Sequence, residues 1–371
     1  QNNKEISYRD LLLPRKIIAS AFSPYDRFTF KKPELEEEHP YEYLGIKSAS
    51  NAVMLGTTSK NLIYNILYTS LKNDFLTYLK AIFDFLNLDP HLRIKFRAKK
   101  REEATTYDFL VKLQQNLEKR KRIAPKIDID DILEFFKRNT SEIQRDDTSL
   151  TIDLDLLNPA KYDEYVEDFM TVLHLYEIGY FREPQILIKK GTYFPLKEAS
   201  SGEQHYLTMM INILSKIEPQ SLVLIDEPET SLHPNWQYRY LYNLKEMFKA
   251  FDSCHFILAT HSHFLISDLE PESSSFVSLH RDRDKQIKAT LHDEKTFGWS
   301  VEDVLYNVFK VPSFRNYYLA EELDTILLAI STGEISQEIR EKIEKVRTAY
   351  HNMKESDPLK DLIELLIEGD M

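Results

Sequence analysis

The stretch 221–261 constrains the fold more than any other. SLVLID (221–226) and HFILAT (255–260) are short apolar runs, and NWQYRYLYNLKEMFKAF between them has the spacing of a helix. Two apolar strands separated by a helix form a β-α-β unit, which implies a parallel sheet with strands buried on both faces. The first strand ends in two carboxylates, Asp226 and Glu227, and His261 follows the second. Ligands of open α/β sheets bind beyond the carboxyl ends of the strands. Neighbouring acids there are costly unless a cation or a shared proton compensates them. One reading is a Mg²⁺-held polyphosphate with a base for water. The other is a helix cap beside a surface acid. His261 also has two readings, a hydrogen-bond donor to a phosphate oxygen or attacking water, or a structural or surface residue.

A third piece lies upstream. In ASSGEQ (199–204) two hydroxyls and a glycine open a helix, and the free N–H groups and positive dipole end of a helix suit an anion. The same residues also fit a capping box, with a serine at the N-cap and Glu203 at or near the third helical position.

Together the pieces resemble the C-terminal half of an ABC-type ATPase head. Ser200, Ser201, Gly202 and Glu203 resemble the signature motif, and Leu222–Glu227 resembles Walker B with its catalytic glutamate. Ser231-Leu232-His233-Pro234 resembles the D-loop, and His261 the switch histidine; the order along the chain is the same. DEPETSLHPNWQ and ATHSHFLIS are similar to the Rad50, RecF and overcoming-lysogenization-defect branch rather than to membrane transporters. RKIIASAFSPYDRF, YEYLGI and TFGWSVEDVLYNVFKVPSFRNYYLAEELD resemble the ATPase subunits of Septu-type antiphage systems and Septu-like retron operons.

The resemblance implies an α/β fold: an ABC ATPase head with a P-loop NTPase-like parallel sheet, a mainly helical insertion and a helical C-terminal region. Expected segments are 1–60 and 185–297 for the ATPase core, 61–184 for the insertion and 298–371 for the C-terminal region, a candidate partner surface. It implies ATP and Mg²⁺ as cofactors and two heads meeting face to face. Asp226 would hold the metal, Glu227 would take a proton from water, and His261 would steady the γ-phosphate. Ser200, Ser201, Gly202 and Glu203, with Ser231, would contact nucleotide, the signature residues from the opposite head. Implied partners are an HNH-type nuclease gated by the ATPase and, in retrons, a reverse transcriptase with multicopy single-stranded DNA. A scaffold that binds nucleotide with little hydrolysis is the alternative, as is a DNA-repair ATPase of the RecF or Rad50 kind.

Departures from the pattern set further expectations. Only 8 of 371 residues are glycine, against a typical ~7%, and no GxxxxGK[ST] occurs. GTTSKN (56–61) lacks the second glycine and the hydroxyl after lysine. In the family that loop precedes a strand like residues 15–22, so it is expected upstream of Gln1, and a fragment starting here is expected to bind ATP poorly. The signature has Ala199 and Ser201 where leucine and glycine are common. The glutamine-loop region after the first strand offers Ser23 and Asp26 but no glutamine. The residues after His261 carry no acidic cluster of the Toprim kind, which argues against a fused nuclease. A metal hydrolase built on Asp226, Glu227, His261 and His263 is a third reading.

The remaining features bound the setting. Net charge is −12, so contact with nucleic acid requires local basic patches; the candidates are the basic face of strand 92–99, extending to Arg101, and KRKR (119–122). The single cysteine, Cys254, excludes an intrachain disulfide and fits a reducing, cytoplasmic setting. No apolar run approaches the ~20 residues that span a bilayer, so no membrane partner is expected. Residues 60–85 predict one helix ended by Pro90, and 128–138 a helix capped by Asp130 or Asp131. Alternation predicts strands over 92–99 and 149–157, and 161–181 predicts a long helix. Residues 185–196 predict two strands joined at Gly191. Ile339, Ile343, Val346, Tyr350 and Met353 form an apolar helical stripe, read as intramolecular packing or a partner surface.

Overall fold

The computed structural model describes residues 13–21, 23, 25–30, 40–45, 47–49, 52–53, 55–70, 74–97, 111, 115, 129–138, 149–158, 168–176, 178–181, 184–267, 269–281, 285–292, 296–311, 317–353, 357 and 359–368. The chain divides into two units, Gln1–Asp268 and Leu269–Met371. The first contains β1 (Lys16–Ala21), β2 (Tyr41–Tyr43), β3 (Lys47–Ala49), β4 (Ala52–Val53), α1 (Leu55–Thr69), α2 (Phe75–Phe85), β5 (Asp89–Arg97), α3 (Ile129–Arg138), β6 (Ser149–Asp155), β7 (Gln185–Lys190), β8 (Thr192–Pro195), α4 (Ser201–Lys216), β9 (Ser221–Asp226), α5 (Pro234–Met247), β10 (His255–Ala259) and α6 (His263–Ser267). The second contains β11 (Phe276–Arg281), β12 (Ile287–His292), α7 (Val301–Asn307), α8 (Tyr317–Thr332), α9 (Gln337–Asn352) and α10 (Leu359–Glu368).

The β-α-β unit is present, and its strands lie in a four-stranded sheet of order β10-β9-β1-β2. Every pair in it is parallel. β1 is covered on both faces from Ile18 to Ala21, as a continuous small and apolar run requires. β9 and β10 depart from the expectation of burial on both faces. On β9 Val223 and Ile225 are buried whereas Leu222 and Leu224 are only half-buried. β10 is a sheet edge, with Ile257 48% exposed. An apolar run alone does not distinguish a covered strand from one at an edge.

α4 sits at the centre of the first unit. It is buried around nearly its whole circumference and packs on α1, α2 and β1. Tyr206 of α4 stacks on Phe85 of α2 at 4.0 Å, and meets Tyr240 of α5 edge-on at 6.0 Å. Burying such a ring contributes roughly 1.5–3 kcal/mol. Asn65 of α1 donates to Asn212 of this helix at 2.8 Å inside the core, whereas the buried Tyr206 hydroxyl has no hydrogen-bond partner among the described residues.

The segments between β4 and α4 build a second, antiparallel sheet of order β6-β5-β7-β8. The alternation in LRIKFR is realised: Leu92, Ile94 and Phe96 are buried, and Arg93, Lys95 and Arg97 lie on the other face. Gly191 joins β7 to β8 with φ +73°, a conformation that glycine adopts without a Cβ penalty.

Several local expectations are corrected. Residues 60–85 form two helices, α1 and α2, with Asp74 in the left-handed region at φ 64° before the second. α2 closes on Leu86 rather than at Pro90, which is the second residue of β5. Asp130 and Asp131 occupy the first turn of α3 rather than its cap, where they complement the helix dipole. The helix expected over 161–181 is described at 168–176, and its other residues lie partly outside the described ones. KRKR (119–122) also lies outside them. In the second unit Ile339, Ile343 and Val346 of α9 join Leu323, Ile326 and Ala329 of α8 and Ile363 of α10 in one apolar core. Tyr350 and Met353 pack against it, so the stripe is intramolecular and not an open partner surface.

Candidate functional site

The site is built where β9 ends. Ala21, Asp226 and Ala259 share one row across β1, β9 and β10, so Asp226 is at the carboxyl edge of the parallel sheet. Glu227 leaves the strand at φ 48°, and its N–H donates to the Ala259 carbonyl at 2.8 Å. A left-handed non-glycine residue costs about 1–2 kcal/mol; here Thr230 holds it, donating its N–H to the Glu227 carbonyl at 3.0 Å. Ser231 is also left-handed at φ 64°. Leu232 then anchors the turn in the core, and His233 caps α5, its Nδ1 accepting from the Asn235 N–H at 3.3 Å. Pro234 at the helix start suits the fixed backbone angle there.

The segment after β10 is fastened to this turn. The His261 N–H donates to Glu229 Oε1 at 2.6 Å. The Ser262 hydroxyl donates to Gln237 Oε1 at 2.8 Å, and Gln237 Nε2 donates to the Leu232 carbonyl at 3.0 Å. The His261 side chain is exposed. It is nevertheless close enough to Asp226 to favour that acid's ionised form.

Asp226 itself is held above the ordinary carboxylate range. Burial is the main cause, followed by the neighbouring charges of Glu227, Asp26 and Glu229, with His261 acting in the opposite direction. Asp26, in the loop after β1, is buried and takes hydrogen bonds from the Tyr43 hydroxyl at 2.8 Å and the Phe28 N–H at 2.9 Å. Three neighbouring carboxylates therefore act electrostatically on Asp226 at this sheet edge. Hard, undercompensated oxygen donors of this kind fit a divalent cation such as Mg²⁺, which retains waters and shares phosphate oxygens. Among the described residues no group of three or more His, Cys, Asp or Glu is arranged to hold a metal ion by itself. Asp226, Glu227, His261 and His263 thus form no such ligand set, and burial lowers the His263 pKa.

The tip of α4 adjoins the same turn. Ser200 is the N-cap, with its Oγ accepting from the Glu203 N–H at 3.3 Å. The Glu203 carboxylate returns to the Ser200 N–H and hydroxyl, both at 2.8 Å, so the capping box is formed. Lys190 lies 3.7 Å from that carboxylate. Ser201 is the first helical residue and is exposed. Gly202 is buried against the turn; a Cβ there would lie 2.5 Å from the Ser231 carbonyl oxygen and 3.1 Å from Trp236. His205, one helical turn on, contacts the Thr230 carbonyl through Nδ1 at 2.8 Å. Burial pushes its pKa down to about 4, against the raising effect of that hydrogen bond. The ring is therefore neutral and donates from Nδ1.

Of the residues singled out in the sequence, Asp226, Glu227 and His261 meet at the sheet edge, and Gly202 meets Ser231. Ser200 and Glu203 are engaged with each other. Four participants gave little sequence signal: Glu229, Gln237, His205 and Asp26. Glu229 was detectable as one more acid at the strand end, and Asp26 only as an acid where a glutamine was sought. The basic face of β5 is partly neutralised within its own sheet. Arg93 pairs with Asp153 through two contacts at 2.6 and 2.9 Å and covers the Tyr193 ring at 4.1 Å. Lys95 and Arg97 have interactions of their own.

Residues 30–267 match the protein family described as AAA domain, putative AbiEii toxin, Type IV TA system. The chain belongs to that family. This AAA-domain chain has the mixed α/β architecture of a P-loop NTPase-like fold, with β10-β9-β1-β2 as its parallel sheet. It is similar to the Septu protein PtuA of Bacillus thuringiensis, 27% identical over 153 residues, covering 40% of this chain and 36% of that protein. It is also similar to the Retron Vc95 probable ATPase of Vibrio cholerae serotype O1 biovar El Tor. There the identity is 24% over 251 residues, covering 64% of this chain and 44% of that protein. The chain thus spans less than half the length of either curated relative. Among the described residues no helix is long and apolar enough to cross a membrane.

Proposed function

We propose that this chain is the ATPase subunit of an antiphage defence complex and gates a partner nuclease of the HNH type. The observation that carries the reading is the convergence of Asp226, Glu227 and the His261 segment at the ends of β9 and β10, tied by Glu227 N–H to Ala259 O. The relatives' names, a Septu protein and a retron ATPase, support the defence setting. In a retron setting the partners would include a reverse transcriptase with its single-stranded DNA. The proposed location is the cytoplasm, where invading nucleic acid is met. The proposed segments remain 1–60 and 185–297 for the core, 61–184 for the insertion and 298–371 for partner contact.

In this reading Asp226 holds Mg²⁺, which would neutralise charge on the phosphate oxygens when bound. Glu227, turned out of the strand by its left-handed backbone, accepts a proton from the attacking water. His261 donates to a γ-phosphate oxygen. Ser200, Ser201 and the N–H groups near Gly202 serve the nucleotide of a second head. For Ser200 that requires its hydroxyl to exchange the Glu203 carboxylate for a phosphate oxygen, whereas the helix dipole is available in either state. Ser231 stands between the α4 tip and the catalytic turn. Positioning and electrostatics supply most of the rate in such sites.

Glu227→Gln tests the proposal. General-base removal lowers hydrolysis by roughly 10²–10⁴-fold, so the assembled complex should bind ATP, remain paired and fail to turn over. Nuclease output should change with it. Full hydrolysis in the variant would remove Glu227 from the mechanism. Lost hydrolysis with defence intact would show that nucleotide binding alone sets the output.

A further inference from the structure

Glu229 has a role that its exposure does not explain. It directly follows Pro228, its backbone carbonyl takes the Leu232 N–H at 2.9 Å, and its Oε1 takes the His261 N–H at 2.6 Å. Its Oε2 is buried and has no hydrogen-bond partner among the described residues. Burying a carboxylate oxygen without a donor is unfavourable, so this side chain is poorly chosen for stability. Among the described residues no hydrogen bond reaches the exposed His261 imidazole, and the residue's backbone N–H is held by Glu229. Among the described residues the side-chain acceptor for that backbone N–H, Glu229 Oε1, belongs to the turn that carries Glu227.

We propose that Glu229 is a positioning residue whose carboxylate locks the backbone of His261 to the Glu227 turn, so that acid and imidazole keep one spacing. Resting on the ATPase reading above, this tie governs the chemical step and not nucleotide affinity. The second fastening, Ser262 through Gln237 to the Leu232 carbonyl, holds the same two segments farther from the acids and leaves His261 itself free to pivot. Glutamine at 229 keeps an acceptor oxygen for the His261 N–H and supplies N–H groups at the other position. Alanine removes both.

The test compares Glu229→Ala, Glu229→Asp and Glu229→Gln in the full chain by amide hydrogen exchange at His261, with Val223 and Ile225 as internal references. A hydrogen bond to a charged acceptor protects an amide by tenfold or more. Glu229→Ala and Glu229→Asp should therefore speed exchange at His261 about tenfold with the references unchanged, and Glu229→Gln should stay within about threefold of wild type. ATP turnover by the assembled complex should fall about tenfold in kcat at constant KM for alanine and recover with glutamine. Unchanged exchange at His261 in the alanine and aspartate variants would overturn the proposal, as would glutamine behaving like alanine. Should alanine fail to fold, the aspartate and glutamine pair decides. Exchange as expected with no ATP turnover in any protein would uphold the tie and refute the ATPase reading alone.

Discussion

Gly202→Ala sets helix propensity against a specific contact, and the two disagree in sign. Gly202 is the second residue of α4, and alanine in a helix is favoured over glycine by about 1 kcal/mol. Propensity alone therefore predicts a more stable protein. The new Cβ would lie 2.5 Å from the Ser231 carbonyl oxygen, inside the 3.0 Å that real Cβ contacts keep, and 3.1 Å from Trp236. The obstacle is backbone, so the α4 tip or the Ser231 turn must move by about half an ångström. Overpacking of this kind costs about 1–3 kcal/mol. The shift also loosens the His205 contact with the Thr230 carbonyl, which contributes about 1 kcal/mol. The expected net result is a destabilisation of about 1–3 kcal/mol. It is measured as a lower denaturation midpoint at unchanged slope, with Ser201→Ala, one residue earlier and exposed, as the propensity control. A variant more stable than wild type by about 1 kcal/mol would refute the contact between helix tip and turn, and with it the mechanical link between the signature-like residues and the Glu227 turn.

Other outcomes follow from the same geometry. His205 is neutral in the folded state with a pKa of about 4 against 6.5 unfolded. The unfolded chain therefore binds more protons between those values, and stability falls as pH drops from about 6.5 to 4. The 2.5-unit difference corresponds to about 3 kcal/mol, and His205→Gln should flatten that part of a stability profile followed by urea denaturation. Ser200→Ala removes the N-cap acceptor of α4 and should lower stability by about 1 kcal/mol, read in the same assay. The Arg93–Asp153 pair is more than a third exposed at each end, 34% and 42%, so a double-mutant cycle should give less than about 1 kcal/mol of coupling. Replacing both members together, Arg93→Gln with Asp153→Asn, removes no net charge and should leave the salt dependence of any nucleic-acid binding unchanged.

What the sequence disclosed depended on the kind of signal. The period-two pattern of β5 and β6 and the apolar run of β9 are local, and they yielded strands in the right places. The order of motifs around Asp226 and His261 led to the parallel sheet and to its carboxyl edge. Sheet position was not legible, because β10 is as apolar as a central strand yet forms an edge. The break between α1 and α2 was hidden because both helices present apolar residues at the same period, and Asp74 carries no proline or glycine to announce a left-handed turn. Glu229, Gln237 and His205 were missed for a related reason. Each acts through hydrogen bonds that tie separate segments together, and no spacing rule encodes such contacts. The capping box at Ser200 was one of two readings of the same letters, and the structure realises it without removing the helix dipole from the site.

The electrostatics of the sheet edge lead to one more test. Glu227, Asp26 and Glu229 act together with burial on the Asp226 carboxyl, and only His261 counters them. A chain of net charge −12 with this cluster at its site repels a triphosphate unless cations intervene. Asp226 therefore has opposite effects with and without divalent metal. With Mg²⁺ it is the acid expected to hold the ion, and Asp226→Asn should weaken ATP binding. With the metal removed by chelation the same carboxylate is only a repulsive charge, and Asp226→Asn should strengthen the residual binding. Removing one unit charge several ångströms from a phosphate is worth on the order of 1 kcal/mol near a protein surface, or about fivefold in affinity, measured by titration with a fluorescent ATP analogue at low ionic strength. A neutral substitution that weakens binding equally in both conditions would mean that Asp226 supports the site's shape rather than its charge, and the metal-holding role would pass to another residue.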